Sequence, residues 1–382
     1  GKTFGLIGAS GFFLNNAVYD VGIYTLFLFQ MVFMDTAATI PTGAMAERWK
    51  FMSFVLFAFF ISMFVYPIFG NWVWGGGWLA TLGTNFGLGH GHVDFAGSSV
   101  VHLVGGITAL AGAMILGPRL KKYNSDGTAN TLPGHNIPMA IVGTFILAFG
   151  WFGFNAGSTL AGNDLRIGII ATNTMLASAS GAITAVVLHY ARTKKFDPAM
   201  SANGLLAGLV AITAPCAFVN ATSSFIIGAI AGPLVVLAYT FIDTKLRIDD
   251  PVGAVAVHGV NGFWGIIALG LFADGSYGDG WNGVAGTVKG LFYGDAGQFF
   301  AELIGGVACI AFVFPVMYGF FKLCDKLFGI RVSAEIEHAG LDLAEMGVRG
   351  YEDAEVIPAN SPAMPVSENI PVTAMRTASP QQ

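Results

Sequence analysis

His102 and His258 are the residues of this 382-residue chain whose type and spacing best fit them for chemistry. Each lies inside an apolar run, Asp94-Phe-Ala-Gly-Ser-Ser-Val-Val-His102-Leu-Val-Gly-Gly106 and Asp250-Pro-Val-Gly-Ala-Val-Ala-Val-His258-Gly-Val-Asn-Gly262. Neutral imidazole is cheap to bury, and two rings can share one hydrogen bond, one donating and the other accepting. Charging both is disfavoured by desolvation and by their like charge. A lone histidine in a hydrophobic run is more often a satisfied core residue than a working one. Here the two runs share the frame Asp-x-x-Gly-x-x-x-Val-His-x-Val-x-Gly, six identities over thirteen positions. A matched pair of ionisable groups inside a membrane points to function. Metal ligation is the rival chemistry, but two histidines with no third His, Cys or carboxylate beside them make an incomplete zinc site, and haem would need further context. No metal and no cofactor are expected.

The elements that must hold these rings follow from the same frame. Each Asp reads as a helix N-cap, with Pro251 at the first helical position. Each His then lies eight residues, roughly 12 Å, along its helix, near the midplane of an apolar layer about 30 Å thick. Hydrophobic residues make up 54% of the chain, charged residues only 11%, and the mean hydropathy of +0.66 lies far outside the soluble range. The fold class is therefore an all-α polytopic membrane protein. The 52 glycines suit helices that approach through small faces. The net charge of -5 leaves no basic stripe for nucleic acid, and Cys216, Cys309 and Cys324 form no motif.

Nine spans are predicted, at 20–46, 51–70, 97–117, 137–157, 167–191, 201–214, 222–243, 252–274 and 299–323, the sixth short for a crossing. Alternate loops hold fifteen Lys and Arg residues against three, which predicts a cytoplasmic C terminus and a first span running inward. The loop before Asp94 is then external and the loop before Asp250 internal. Two copies entering from opposite sides form an inverted repeat, an architecture of transporters whose pathway runs between the repeats.

Aromatic residues gather near the predicted outer helix ends, Trp74 beyond the second span and Trp151, Phe152 and Phe154 at the end of the fourth. An interfacial belt accounts for most such residues. A Trp face also attracts a small cation, by about 0.5 to 2 kcal/mol, and Ser158 offers a hydroxyl acceptor. No phosphate-binding Lys loop, nucleophile elbow or zinc-protease helix occurs. Acidic residues within the spans are few, with Asp20, Glu47 and Glu302 near ends and Asp35 the interior exception. A carboxylate-lined proton or sodium path is not expected. His90 and His92 fall in a long Gly-rich loop, residues 75–93.

With these residues the chain resembles the ammonium transporter family, the microbial and plant relatives of the Rhesus proteins, over about residues 1–351. Asp94 to His102 with Gly117-Pro-Arg119, Gly150-Trp-Phe-Gly-Phe-Asn-Ala-Gly-Ser158, Asp249-Asp-Pro to His258-Gly-Val, and Gly43-Ala-Met-Ala-Glu-Arg48 carry the resemblance. It implies a homotrimer of eleven-helix subunits in the cytoplasmic membrane, each with a narrow pore, so nine spans here leave the family's first two unaccounted for. It assigns Trp74, Phe33 and Ser158 to external recruitment of ammonium, Phe33 and Phe154 to a stacked gate, and His102 and His258 to the twin histidines of the pore. Asp94 matches an Asp needed for activity, read as a structural cap near the recruitment site, and Thr213 matches a further polar pore position, with Trp151 also near the site. The substrate implied is ammonium or ammonia, and a PII-type signalling protein is the implied cytoplasmic partner. Met346 and Val348 stand where many relatives carry His and Glu, although Gly340-Leu-Asp342 and Gly347 are kept. The domains expected are a transmembrane unit over 1–330, a cytoplasmic regulatory region over 331–354 and a disordered tail over 355–382. The rival function is a non-conducting ammonium sensor using the same recruitment site; an enzyme is not expected.

Overall fold

The computed structural model describes residues 5–15 and 20–351. Ten helices are named here: α1 Val21–Met45, α2 Phe51–Val73, α3 Ser98–Leu116, α4 Ile137–Thr159, α5 Arg166–Thr193, α6 Pro198–Thr213, α7 Ala221–Leu246, α8 Val255–Phe272, α9 Ala296–Phe328 and α10 Ala334–Ala339. Eight of them are long and apolar enough to cross a membrane. The predicted sixth span is α6, which at 16 residues falls short of that length although it is apolar. The segment 355–382, expected to be a disordered tail, lies outside the described residues.

Short polar side chains start these helices by taking the N–H groups that a first turn leaves unbonded. Asp20 accepts from Ile23 N, Asn136 from Met139 N, Asp197 from Ala199 N and Met200 N, Asn220 from Ser223 N, and Asp295 from Gln298 N. Asp94 and Asp250 do the same for α3 and α8, with one correction. Each helix begins later than its Asp, so Pro251 sits in the turn ahead of α8 rather than at its first position. His102 is thus the fifth residue of α3, about 6 Å along it rather than 12. Both histidines also fall in wide π-helical turns, Ser98–Leu103 and Val255–Val260.

α3 and α8 form the centre. Of the most apolar stretch of α3, 83% is buried, against 11% for α4, so α4 presents its apolar residues outward. The two central helices touch backbone to backbone, because a Cβ on Gly106 would collide with the main chain of Gly259, and one on Gly262 with Ser98 O and Leu103 N. Gly181, Gly204 and Gly208 let α5 and α6 approach equally closely, the small-residue contact that membrane helices use in place of a hydrophobic drive. Asp35 lies exposed on α1.

At the opposite end from Trp74, a charged cluster ties the link between α1 and α2 to the ends of α3 and the start of α8. Arg48, fully buried, donates to Gly117 O, Ala46 O and Asp249 O. Arg119 grips Asp249 through Nε at 2.9 Å and Nη2 at 3.1 Å, and reaches Glu47 at 3.1 Å. Burial lowers the Arg48 pKa to about 10. Asp249 is pushed upward by burial, but the Arg119 hydrogen bonds and the charges of both arginines prevail and hold it below the usual carboxylate range. Residues 330–332 pair with 48–50 along the backbone, and Glu337 of α10 binds Arg331 at 2.7 Å and accepts from Leu120 N. The chain forms one compact unit to Leu341 and a second from Asp342, in which Asp342 accepts from Gly350 N.

Candidate functional site

The site is a connected series of rings from the end of α2 to the centre. Trp74 closes α2, and its indole N–H donates to Asp94 O at 2.6 Å, which fixes the ring and leaves only its faces and edges for a ligand. Phe33 of α1 meets Trp74 edge-on, with centroids 6.1 Å apart, and stacks on Phe154 of α4 at 4.2 Å and 14°. Phe154 in turn lies 5.5 Å from the ring of His102. Phe29 joins the stack at 4.4 Å from Phe33. Phe33 is 3% exposed, so the stacked pair is closed to solvent on the α1 side.

His102 and His258 face each other with Nδ1 to Nδ1 at 3.1 Å. That distance requires one proton between the two nitrogens, so one ring carries its hydrogen on Nδ1 and the other on Nε2. The pair therefore offers one N–H and one lone pair at its two Nε2 atoms. His102 is fully buried, and its Nε2 has no protein partner among the described residues. A buried polar atom without a partner costs free energy unless a ligand or water completes it. His258 is partly accessible. Trp151 stacks on His102 at 5.4 Å and 14°, and donates to Thr213 Oγ1 at 2.9 Å, while Thr213 donates to Leu209 O. Thr213 has thus committed its proton and anchors Trp151, which holds the His102 ring.

Ser158 lies one turn beyond Phe154 and donates its hydroxyl to Phe154 O at 2.7 Å. Toward a ligand it can only accept. Of the three residues expected at one recruitment site, Trp74 and Phe33 meet directly, and Ser158 is joined to them through Phe154.

Asp94 does more than an ordinary cap. Its Oδ1 accepts from Gly97 N and Ser98 N, and its Oδ2 from Ser99 N, Ser99 Oγ and Val100 N, five bonds between 2.7 and 3.0 Å. It holds the start of the helix bearing His102 and presents the carbonyl that orients Trp74. Among the described residues Asp250, its counterpart, accepts only from Ala254 N and Val255 N, and burial raises its carboxyl pKa to about 6 against those two bonds.

Sequence reasoning missed a second polar cluster directly behind Asp94. His92, taken for a loop residue, is fully buried; its Nδ1 lies 2.6 Å from Glu302 Oε2 and its Nε2 2.9 Å from Ser99 Oγ. Glu302, taken for a helix-end residue, is fully buried in α9, and Gln298 donates to it at 2.7 Å. The available signal was a carboxylate seven residues inside an apolar helix, which cannot stay there without a partner. No group of three metal-ligating side chains occurs among the described residues.

These features define a class: a multi-pass α-helical membrane protein whose two central helices meet at a paired imidazole beneath stacked phenylalanines. The chain belongs to the Ammonium Transporter Family, whose profile matches residues 2–351. It is 50% identical to the ammonium transporter Amt2 of Archaeoglobus fulgidus over 91% of this chain and 74% of that protein. It is 36% identical to ammonium transporter 1 member 1 of Solanum lycopersicum, over 93% of this chain and 76% of that one. Among solved structures it resembles a sensor Amt protein, with a TM-score of 0.82 and 40% identity over 91% of this chain and 83% of that one. It also resembles Candida albicans Mep2, with a TM-score of 0.70 and 30% identity over 80% and 65%.

Proposed function

We propose that this protein moves ammonium across a membrane by taking up the cation at the Trp74 end and passing neutral ammonia along the histidine pair. The observation that carries this reading is the Nδ1-to-Nδ1 contact of His102 and His258, with a buried Nε2 left without a protein partner. Ammonia accepts one hydrogen bond and donates others, so it complements a pair offering one N–H and one lone pair. In the proposed path, Trp74 attracts the cation through its ring face, worth about 0.5 to 2 kcal/mol, with Phe33 closing the site beneath it, and Ser158 accepts from it. A hydrogen-bond donor is thereby favoured over potassium of similar size. Beyond the Phe33 and Phe154 gate the charged form would face a desolvation cost of several kcal/mol or more, so the proton is left behind. Asp94 holds Trp74 and α3 in place, and Trp151 with Thr213 holds His102. The Trp74 end is external and the C terminus cytoplasmic in this reading. The protein works as a homotrimer in the cytoplasmic membrane, and a PII-type protein acts on its cytoplasmic face.

The test is an ammonium-pulse current in proteoliposomes, with a Trp74→Leu, His102→Ala double variant as control. A saturating current, indifferent to potassium and abolished in the variant, is expected if the proton follows. Neutral flux would instead give an alkaline shift of the vesicle lumen without current. Absence of both from assembled protein would sink the proposal. A second reading, ammonium sensing without conduction, draws on the likeness to a structure titled a sensor Amt protein. Saturable ammonium binding with neither current nor alkaline shift would favour it.

A further inference from the structure

His92 and Glu302 belong to no part of the path just described, yet both are fully buried directly behind Asp94. Val93 N and Gln298 Nε2 both donate to Glu302 Oε1, so any proton on this carboxyl must sit on Oε2, the oxygen facing His92. Gln298 is itself fixed by His90 N and Gly91 O. The His92 ring rests against Gly305 of α9, where any Cβ would collide with it. On its other side Nε2 meets Ser99 Oγ, which donates onward to Asp94. If Ser99 donates to Asp94, His92 Nε2 must be the donor to Ser99. The array then points one way: a proton held between Glu302 and His92 Nδ1, His92 Nε2–H to Ser99, and Ser99 O–H to Asp94.

We propose that His92 and Glu302 are positioning residues that set the direction of the Ser99 hydroxyl by the one proton they share, and so tune Asp94. When that proton leaves to solvent, Glu302 Oε2 is a bare acceptor 2.6 Å from Nδ1. The ring keeps a single hydrogen, and it must carry it on Nδ1 to avoid facing two lone pairs. Nε2 then becomes an acceptor, and the Ser99 hydroxyl turns from Asp94 to His92. Asp94 drops from five hydrogen bonds to four, at the start of the helix that carries His102 and beside the carbonyl that orients Trp74. Burial disfavours the charged imidazolium, but the Glu302 carboxylate outweighs it and raises the His92 pKa above the ordinary imidazole range. The change therefore falls on the alkaline side. The charged groups facing the ring are Glu302 from α9 and Asp94 ahead of α3; Asn282 and Gln298 are neutral, and Tyr66, Cys216 and Cys309 are further groups in reach of Asp94.

The inference rests on transport as its functional readout, and a second readout keeps it separate. Glu302→Gln preserves the shape, accepting from Val93 and Gln298 and donating to Nδ1, but removes the titrating proton. Histidine-selective 15N NMR of the full-length protein in detergent, with His92→Gln to assign the signal, reports the tautomer across pH. Ammonium flux in proteoliposomes is measured in parallel for the wild type, Glu302→Gln and Ser99→Ala. The expected result is a His92 signal that moves to the Nδ1–H form at alkaline pH in the wild type and stays Nε2–H in Glu302→Gln. Wild-type flux should fall about tenfold through the same range, while both variants give flat profiles. A His92 signal that does not change tautomer, or a Glu302→Gln profile that follows the wild type, overturns the proposal. If no protein conducts, the transport reading fails, and the NMR arm alone decides whether the shared proton sets the tautomer.

Discussion

The residues that hold this molecule together include a buried ion pair outside the candidate path, and it is the better place to test stability. Arg119 and Asp249 are buried and joined by two side-chain hydrogen bonds. Arg119→Ala leaves a buried carboxylate without its partner, at a cost of about 3 to 5 kcal/mol. The check is thermal unfolding in detergent, in which the variant should melt well below the wild type. Asp249 is held below the usual carboxylate range, so its contribution is present above about pH 4 and lost as the pH falls through its folded pKa. The wild-type advantage over Arg119→Ala should accordingly shrink in acid. His102 and His258 were legible from the sequence because the frame around them repeats, and Phe33 and Phe154 because their neighbourhoods resemble a family. The stacking of those two rings came only from that resemblance, since they are far apart along the chain and no local pattern joins them. His92 and Glu302 escaped notice for the opposite reason: each looks ordinary alone, a loop histidine and an acid near a helix start, and their meaning lies in the 2.6 Å between them.

Among the elements, the apolar runs marked the helices to within a few residues, because a membrane span has little besides hydrophobicity to define it. The starts of α3 and α8 were misjudged, because an Asp can cap a helix from several residues away when it gathers consecutive N–H groups. The two caps differ in strength, five hydrogen bonds at Asp94 against two at Asp250. Ordinary cap removal costs about 0.5 to 2 kcal/mol. Asp250→Ala should fall near that range, and Asp94→Ala should cost at least about twice as much, compared by the same melting assay. Asp250 also adds a pH dependence of opposite sign to that of Asp249. Its folded pKa of about 6 lies above the unfolded value, so its favourable contribution is complete below about pH 4 and is lost as the pH rises through 6. The shift corresponds to roughly 3 kcal/mol, and Asp250→Asn should lack this slope.

For the whole molecule, the contrast in burial between helices is informative. α3 is enclosed along most of its length, while α4 exposes Phe145, Ile146, Leu147 and Phe149, each more than half accessible. Such surface suits lipid or neighbouring helices, in keeping with the proposed homotrimer. Native mass spectrometry from detergent micelles should give three times the chain mass, and a monomer that still conducts would separate the pore from the assembly. The pairing of 330–332 with 48–50 fastens the end of the last span to the link between the first two. The sequence offered no sign of this clasp, whose bonds run largely through backbone atoms that any residue supplies.

The wide turns at Ser98–Leu103 and Val255–Val260 carry a further consequence, a rotational one. A π turn is an α-helix with one residue too many, and each residue of an α-helix advances the azimuth by about 100°. Deleting Val101 would let α3 relax to regular winding. Five residues at regular winding turn through about the same angle that six cover in the wide form, so the Gly106 contact with Gly259 and the Asp94 cap would keep their phase, while the widened turn that carries His102 would close and draw the ring out of line with His258. Replacing Val101 with Ala keeps the count and should be tolerated. A folded deletion variant that conducts ammonium as the wild type does would show that the extra residue does not set the position of His102.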